Sequence, residues 1–321
     1  MLVLAVLVTL QIPLTAQSQQ AGKVYRLAFL GSTSPSGYAS QLEAFRGGLR
    51  DLGYVESRNL VIEFRWAQGK TERLPELAAE LVRWNPDVLV THGPAGALAA
   101  KRATDTIPIV MGVVGDPVAL DLVVSLARPG GNITGSSFFV PELNAKRLEI
   151  LKEALPRLSR VGVLLKRDNP ANVSLLQAME DTARALKIQL QSVEVRDPAD
   201  LDNAVAALVR AHAGAIAVQE EAMLIAQAVR IADLAKKHQL PTIGFVEYSR
   251  TGGLLAYGVN FPDLWRRAAA FVDKILKGAK PADLPVEQAT KFDLVINMRT
   301  AKALGLTIPQ SLLLRADQII Q

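Results

Sequence analysis

From Val24 to Arg65 the hydrophobic pattern changes period twice. Tyr25–Leu30 is a short apolar run that stops at Gly31. Turn-forming hydroxyl residues follow, Ser32-Thr33-Ser34-Pro35-Ser36-Gly37. Leu42, Phe45, Leu49 and Leu52 then recur at steps of three, four and three, which places them on one helical face. Gly53 suits the left-handed end of that helix, and Leu60–Phe64 reads as the next strand.

The same unit returns near residue 161. Val161–Leu165 precedes the polar loop Lys166-Arg167-Asp168-Asn169-Pro170-Ala171-Asn172. Leu176, Met179, Ala183 and Leu186 follow at steps of three, four and three, and Leu190–Val195 closes the unit. Between the copies the pattern predicts helices over 72–84, 95–103, 118–127 and 143–155, with strands over 87–90, 107–113 and 132–135. After the second copy it predicts helices over 199–211 and 222–237, and strands over 215–218, 242–245 and 254–257. The tail adds a helix over 262–277, a strand over 293–297, a short helix over 300–304 and a further apolar stretch to the end.

Strands alternating with helices imply parallel sheets covered on both faces and joined by right-handed crossovers. The expected fold is therefore α/β, two similar Rossmann-like lobes with a three-strand hinge near 136–140, 256–261 and 286–292. The first lobe is expected to take residues 21–137 and 259–288, and the second 138–258 and 289–321.

In such sheets a ligand lies beyond the carboxyl ends of the strands. In the first lobe those ends carry Ser32, Thr33, Ser34, Thr91, His92, Gly93, Asp116 and Ser137; in the second, Asp168, Asn169, Asn172, Gln219, Glu220, Tyr248 and Asn260. These fifteen are the candidate ligand contacts, each with a plainer reading beside it. The serine loop and Asp168–Asn172 cap helices as readily as they bind anions. Asp116 fits the N-cap of a helix from Val118. His92 is equally a loop histidine. Phe138, Phe139 and Tyr248 could stack on a planar ligand or simply pack. Gln219-Glu220-Glu221 places two carboxylates at one strand end, the best seat for a positively charged group.

Composition narrows the classes. Half of the 321 residues are hydrophobic and 21% are charged, so a large core is available. The net charge is +5 and the pI about 9.4, but basic residues mostly alternate with acidic ones. No basic run with interleaved aromatics suggests nucleic acid. With no cysteine there is neither disulfide nor thiolate chemistry. Three histidines set far apart give no metal-binding pattern, so neither metal nor cofactor is expected. Gly-x-Gly-x-x-Gly, Walker and Gly-x-Ser-x-Gly motifs are all missing.

Leu2–Leu14 is apolar but shorter than the about 20 residues a spanning helix needs. With small residues at Ala16 and Ser18 it reads as a signal-like segment over 1–20, although a charged n-region is missing.

Four segments carry a family resemblance: Phe45-Arg46-Gly47-Gly48-Leu49-Arg50-Asp51-Leu52-Gly53-Tyr54, Arg128-Pro129-Gly130-Gly131-Asn132-Ile133-Thr134-Gly135, Leu143-Asn144-Ala145-Lys146-Arg147-Leu148 and Tyr257-Gly258-Val259-Asn260-Phe261-Pro262. With them the chain after Gln20 resembles the type I periplasmic binding proteins of ABC transporters. It is most similar to the subfamily associated with tryptophan and tyrosine uptake. The resemblance implies an exported, periplasmic, monomeric solute-binding protein that is not an enzyme and hands a small molecule to a membrane permease. One departure bears on the ligand. Aromatic amino acid binders tend to carry Asp at the position of Asn260, so its neutral amide weakens the case for an α-amino acid ligand, although Glu220 or Glu221 could supply the carboxylate instead. Two alternatives remain: a hydrolase or isomerase on the same scaffold, and the effector-sensing core of a transcription regulator. The ligand expected is amino acid-like or carboxylate-bearing rather than a sugar.

Overall fold

The computed structural model describes residues 23–138 and 140–321; the signal-like segment and Phe139 lie outside the described residues. The first half runs β1 (Tyr25–Gly31), α1 (Ala39–Asp51), β2 (Leu60–Trp66), α2 (Leu74–Arg83), β3 (Val88–Thr91), α3 (Gly93–Ala103), β4 (Ile109–Gly115) and β5 (Ile133–Phe138). The second runs α4 (Val140–Ala154), β6 (Arg160–Lys166), α5 (Asn172–Leu186), β7 (Gln189–Val195), α6 (Leu201–Arg210), β8 (Ala215–Val218), α7 (Ala222–Ala226), α8 (Ala228–Lys237), β9 (Thr242–Gly244), α9 (Val246–Arg250) and β10 (Leu255–Gly258). The chain then adds α10 (Phe261–Leu276), β11 (Glu287–Gln288), β12 (Asp293–Asn297), α11 (Met298–Ala303), α12 (Gln310–Arg315) and β13 (Gln318–Ile320).

Two sheets result, ordered β11-β5-β4-β3-β1-β2 and β13-β12-β10-β9-β8-β6-β7. Renumbered from its own start, each half gives the strand order 2-1-3-4-5, so the duplicated unit extends to topology. All pairs are parallel except β10 with β12. That antiparallel pair departs from the purely parallel expectation. Its cause is chain direction: β12 comes back from the first sheet through 289–292 and has no crossover helix to reverse it. The chain passes between the sheets three times, between β5 and α4, through Val259-Asn260 and through 289–292.

The periodicity placed most helices correctly. Leu42, Phe45 and Leu49 are buried in the core while Leu52, at the helix end, is 40% exposed. The predicted helix over 118–127 does not form. Asp116 and Asp121 adopt left-handed backbone, with φ of 24° and 53°, and the segment is a series of turns. The helix over 222–237 is two helices, broken at Gln227. α10 follows the second lobe in sequence but packs against α1 and β4 of the first. Trp265 of α10 is wholly buried, with its ring beneath Gly112 of β4. A Cβ at Gly112 would stand 2.6 Å from that ring.

Candidate functional site

In a 2-1-3-4-5 sheet the order reverses between strands 1 and 3, and the crevice opens at their carboxyl ends. Here these are β1 and β3 in one lobe and β6 and β8 in the other. One cavity lies at both switch points at once. It is lined by Ser32 after β1, by His92, Gly93, Pro94 and Ala95 after β3, by Lys166–Asn169 after β6 and by Gln219–Glu221 after β8. Tyr38, Thr71, Val113–Gly115 and Phe138 also line it from the first lobe, and Phe261 comes from the start of α10.

The first-lobe wall is uncharged and aromatic. His92 is 1% exposed, and burial pushes its imidazole down to about 3, so the ring is neutral near pH 7. Its Nε2 accepts from the Ser32 backbone N–H at 3.4 Å, which assigns the remaining ring proton to Nδ1. Tyr38 stacks on His92, and the hydroxyl of Tyr38 accepts from Trp265 Nε1 at 3.2 Å. α3 begins in this wall, so the positive end of its dipole lies at the cavity, although Pro94 in its first turn has no N–H to offer.

The second-lobe wall is charged. Glu220 Oε2 accepts from Arg147 Nη2 at 2.8 Å, with both side chains about 1% exposed or less. Its Oε1 is buried and has no partner. Burial raises the Glu220 carboxyl while Arg147 opposes that shift. Glu221 caps α7 by accepting from the Met223 N–H at 2.8 Å; burial raises its carboxyl too, against that bond and the charge of Lys166.

Seven of the fifteen sequence candidates line this cavity: Ser32, His92, Gly93, Asp168, Asn169, Gln219 and Glu220. The others sit beside it or elsewhere. Asn172 is a brace: its Nδ2 donates to Lys166 O at 2.9 Å and its Oδ1 accepts from Gln219 Nε2 at 2.7 Å. Gln219 Oε1 in turn accepts from the Lys166 N–H at 2.8 Å, so β6 and β8 are tied at the switch point. Thr91 donates to Leu30 O, Thr33 donates to Ser34 O, and Ser34 accepts from the Gly37 N–H. Asp116 accepts from the Ala119 N–H at 3.0 Å and caps a turn rather than a helix. Ser137 is buried in β5 with an unpartnered hydroxyl, while the next residue, Phe138, reaches the cavity.

Tyr248 lies in the second-lobe core, on α9 and wholly buried, pressed against Gly244 and Gly253. Asn260 is the N-cap of α10, its Oδ1 accepting from the Asp263 N–H, and it lines a different cavity with Asp263 and Arg267. Sequence reading missed Tyr38, Lys166, Phe261 and Arg147. Tyr38 and Phe261 each follow a noted polar residue by one or two positions. Arg147 lies in one of the segments that carry the family resemblance, but its role is not legible there, because its partner is 73 residues away.

The curated tyrosine-binding protein of Clostridioides difficile (strain R20291) is 27% identical over 265 residues, spanning 82% of this chain and 76% of that protein. A conserved domain protein from Vibrio cholerae O1 biovar El Tor superposes with a TM-score of 0.86 at 30% identity, over 92% of this chain and all of that one. An ABC domain from Streptococcus pneumonia, solved in complex with L-Trp, superposes at 0.84 with 25% identity, over 93% of this chain and all of that one. The family model for ABC transporter substrate binding proteins matches residues 33–320. That span takes in every element of both lobes after β1 and every cavity-lining residue named above except Ser32, so the chain belongs to the ABC transporter substrate binding proteins, which bind solutes and are not enzymes.

Proposed function

We propose that this protein is the exported solute-binding component of an ABC importer and that its two lobes close on an aromatic amino acid or a near relative of one. The observation that carries the reading is the opposition of walls. One wall offers uncharged donors and a helix N-terminus, suited to a carboxylate. The other offers Glu220 with one oxygen unengaged, suited to an ammonium. Tyr38, Phe138 and Phe261 supply flat apolar surface between them. The tyrosine-binding relative and the L-Trp complex are consistent with that chemistry. Of the sequence candidates, the seven that line the cavity are the ligand contacts in this reading, with Tyr38 and Phe261 added. Asn260 needs no charge here, because the carboxylate comes from the end of β8.

Export through residues 1–20 and delivery to a permease belong to the same proposal. They are supported by the apolar Leu2–Leu14 run and by family membership. A thermal-shift screen over amino acids, aromatic carboxylates, purine-like compounds and sugars tests the ligand class. A ligand at about a hundred times its Kd adds about 2.7 kcal/mol of stability. Stabilisation by aromatic amino acids is expected; stabilisation by sugars alone would overturn the ligand class. Cell fractionation tests export: a shortened protein in the periplasmic fraction is expected, and unprocessed protein confined to the cytoplasm refutes it.

A further inference from the structure

We infer that Arg147 is a positioning residue for ligand recognition: seated against the strand that leads to the second lobe crossing, it pins Glu220 through Oε2 and leaves that carboxylate's Oε1 free for a ligand ammonium. The inference rests on the amino acid-like ligand proposed above and names how the charged end is read.

The geometry is specific. Arg147 comes from α4, soon after the first crossing, and none of its side chain is exposed. It has three partners. Nε donates to the Tyr257 carbonyl at 2.7 Å, Nη1 to Asn144 Oδ1 at 3.3 Å and Nη2 to Glu220 Oε2 at 2.8 Å. A planar guanidinium can serve three acceptors in fixed directions, and a lysine ammonium cannot reproduce that fork. The consequence for Glu220 is asymmetric. One oxygen is pinned in the wall, and the other is buried, without a partner, on a residue that lines the cavity. An unpaired carboxylate oxygen in such a place is costly, and an incoming N–H donor removes the cost.

A second observation is independent of the ion pair. Gly258, at the end of β10, lies directly against it. A Cβ there would stand 2.9 Å from Arg147 Nη2 and 3.4 Å from Glu220 Oε1. A side chain at 258 would therefore press on the Arg147 guanidinium and push it away from its place beside Glu220. Arg147 and Gly258 together bind the cavity carboxylate to the segment through which the chain passes to α10.

Charged and titratable groups around Glu220 come from every side. Arg147 on α4 faces it directly, and Glu247 on α9 repels it. Glu221 is its chain neighbour, Lys166 stands at the end of β6, and His92 and Tyr38 face it from the first lobe. Arg147 is the cation in contact. Without it, burial and Glu247 both favour the protonated acid, which cannot pair with an ammonium.

The test compares L-tryptophan with indole-3-propionate, which has the ring and carboxylate but no ammonium, by calorimetry from pH 6 to 9. The wild type should prefer L-tryptophan at least roughly ten-fold, the scale of one charge-assisted bond. Arg147→Met should lose most of that preference at pH 7 and regain part of it as pH rises and Glu220 ionises, with indole-3-propionate affinity little changed. Arg147→Lys should fall between. Should Arg147→Met not fold by circular dichroism, Gly258→Ala displaces the pair while keeping both charges, and the same loss of preference is expected. Retention of the full preference in a folded variant at every pH overturns the role of Arg147 while leaving the ligand class standing. Failure of the wild type to bind either probe overturns the ligand class, and this inference with it.

Discussion

The phenol of Tyr38 lies face to face with the imidazole of His92, ring centroids 4.2 Å apart and planes 16° from parallel. Both rings are buried, and both belong to the cavity wall. Behind them Trp265 meets Tyr38 edge-on at 5.5 Å and His92 at 5.8 Å. The wall is thus held in place by a residue contributed more than 170 positions after His92, when the chain returns from the second lobe. That return explains why a first-lobe site depends on α10.

Tyr38→Phe keeps the stack but removes the hydroxyl that accepts from Trp265 Nε1. A buried donor left without a partner costs about 1–3 kcal/mol. Chemical denaturation should show a loss of that size, with ligand affinity changing less than two-fold or so. Tyr38→Ala also removes the stacking surface and should lose affinity as well. Equal stability of wild type and Tyr38→Phe would mean that the indole N–H has another outlet.

Gly112 offers a sharper packing test. Its ideal Cβ would meet three atoms of the Trp265 ring at 2.6 to 2.8 Å, and neither α10 nor β4 can yield without disturbing α1. Overpacking of this kind costs about 1–3 kcal/mol. Gly112→Ala should destabilise by that amount, and Gly112→Ala with Trp265→Phe should recover part of it. Additive losses in the double variant would show that the two positions are not coupled.

The architecture was legible because it is periodic. Steps of three and four placed α1, and the repeat of strand, polar loop and helix gave two lobes and three crossings. Local pattern failed where backbone conformation decided the outcome. Val118–Ala127 has helical composition, yet left-handed Asp116 and Asp121 make it a run of turns. Strand ends located the cavity, because topology alone puts ligands there. They did not say which side chains turn into it. Asn172 and Gln219 look alike as polar loop residues, and only the structure shows that they bond each other and the β6 backbone. Tyr248 follows a strand end in sequence, but the short helix α9 carries it into the core. Arg147 and Trp265 act across 73 and 227 residues, a reach that no window of local pattern spans.

Closure of the lobes gives a prediction about shape. The cavity walls come from both lobes, and three separate segments join them, an arrangement suited to hinge motion. Small-angle scattering should show a smaller radius of gyration when a saturating aromatic amino acid is added. An unchanged radius at proven saturation would mean that ligand enters without the lobes parting.

The last prediction concerns pH and sets two buried groups against each other. Glu247 has both carboxylate oxygens buried without a partner, and burial pushes its carboxyl up from 4.5 to about 7. Between those values the folded protein holds a proton that the unfolded chain has released, so this group makes stability fall as pH rises. His92 works the other way. Burial takes it from 6.5 to about 3, and between those values the unfolded chain holds a proton that the folded protein lacks. Its contribution is complete above pH 6.5 and is lost as pH falls toward 3. From pH 4.5 to 6.5 the two slopes oppose each other, each up to 1.36 kcal/mol or so per pH unit. The wild type should therefore show a shallow stability profile in that window. Glu247→Gln removes one falling slope, so its stability should rise relative to wild type from pH 4.5 to 7. It should exceed wild type above pH 7 by up to about 3 kcal/mol, and match it near pH 4. His92→Gln should do the reverse and lose stability with rising pH across the same range. Denaturant unfolding of the three proteins at half-unit pH steps reads both slopes directly. Parallel profiles for wild type and Glu247→Gln would show that Glu247 titrates alike in the folded and unfolded protein, and would overturn its raised carboxyl.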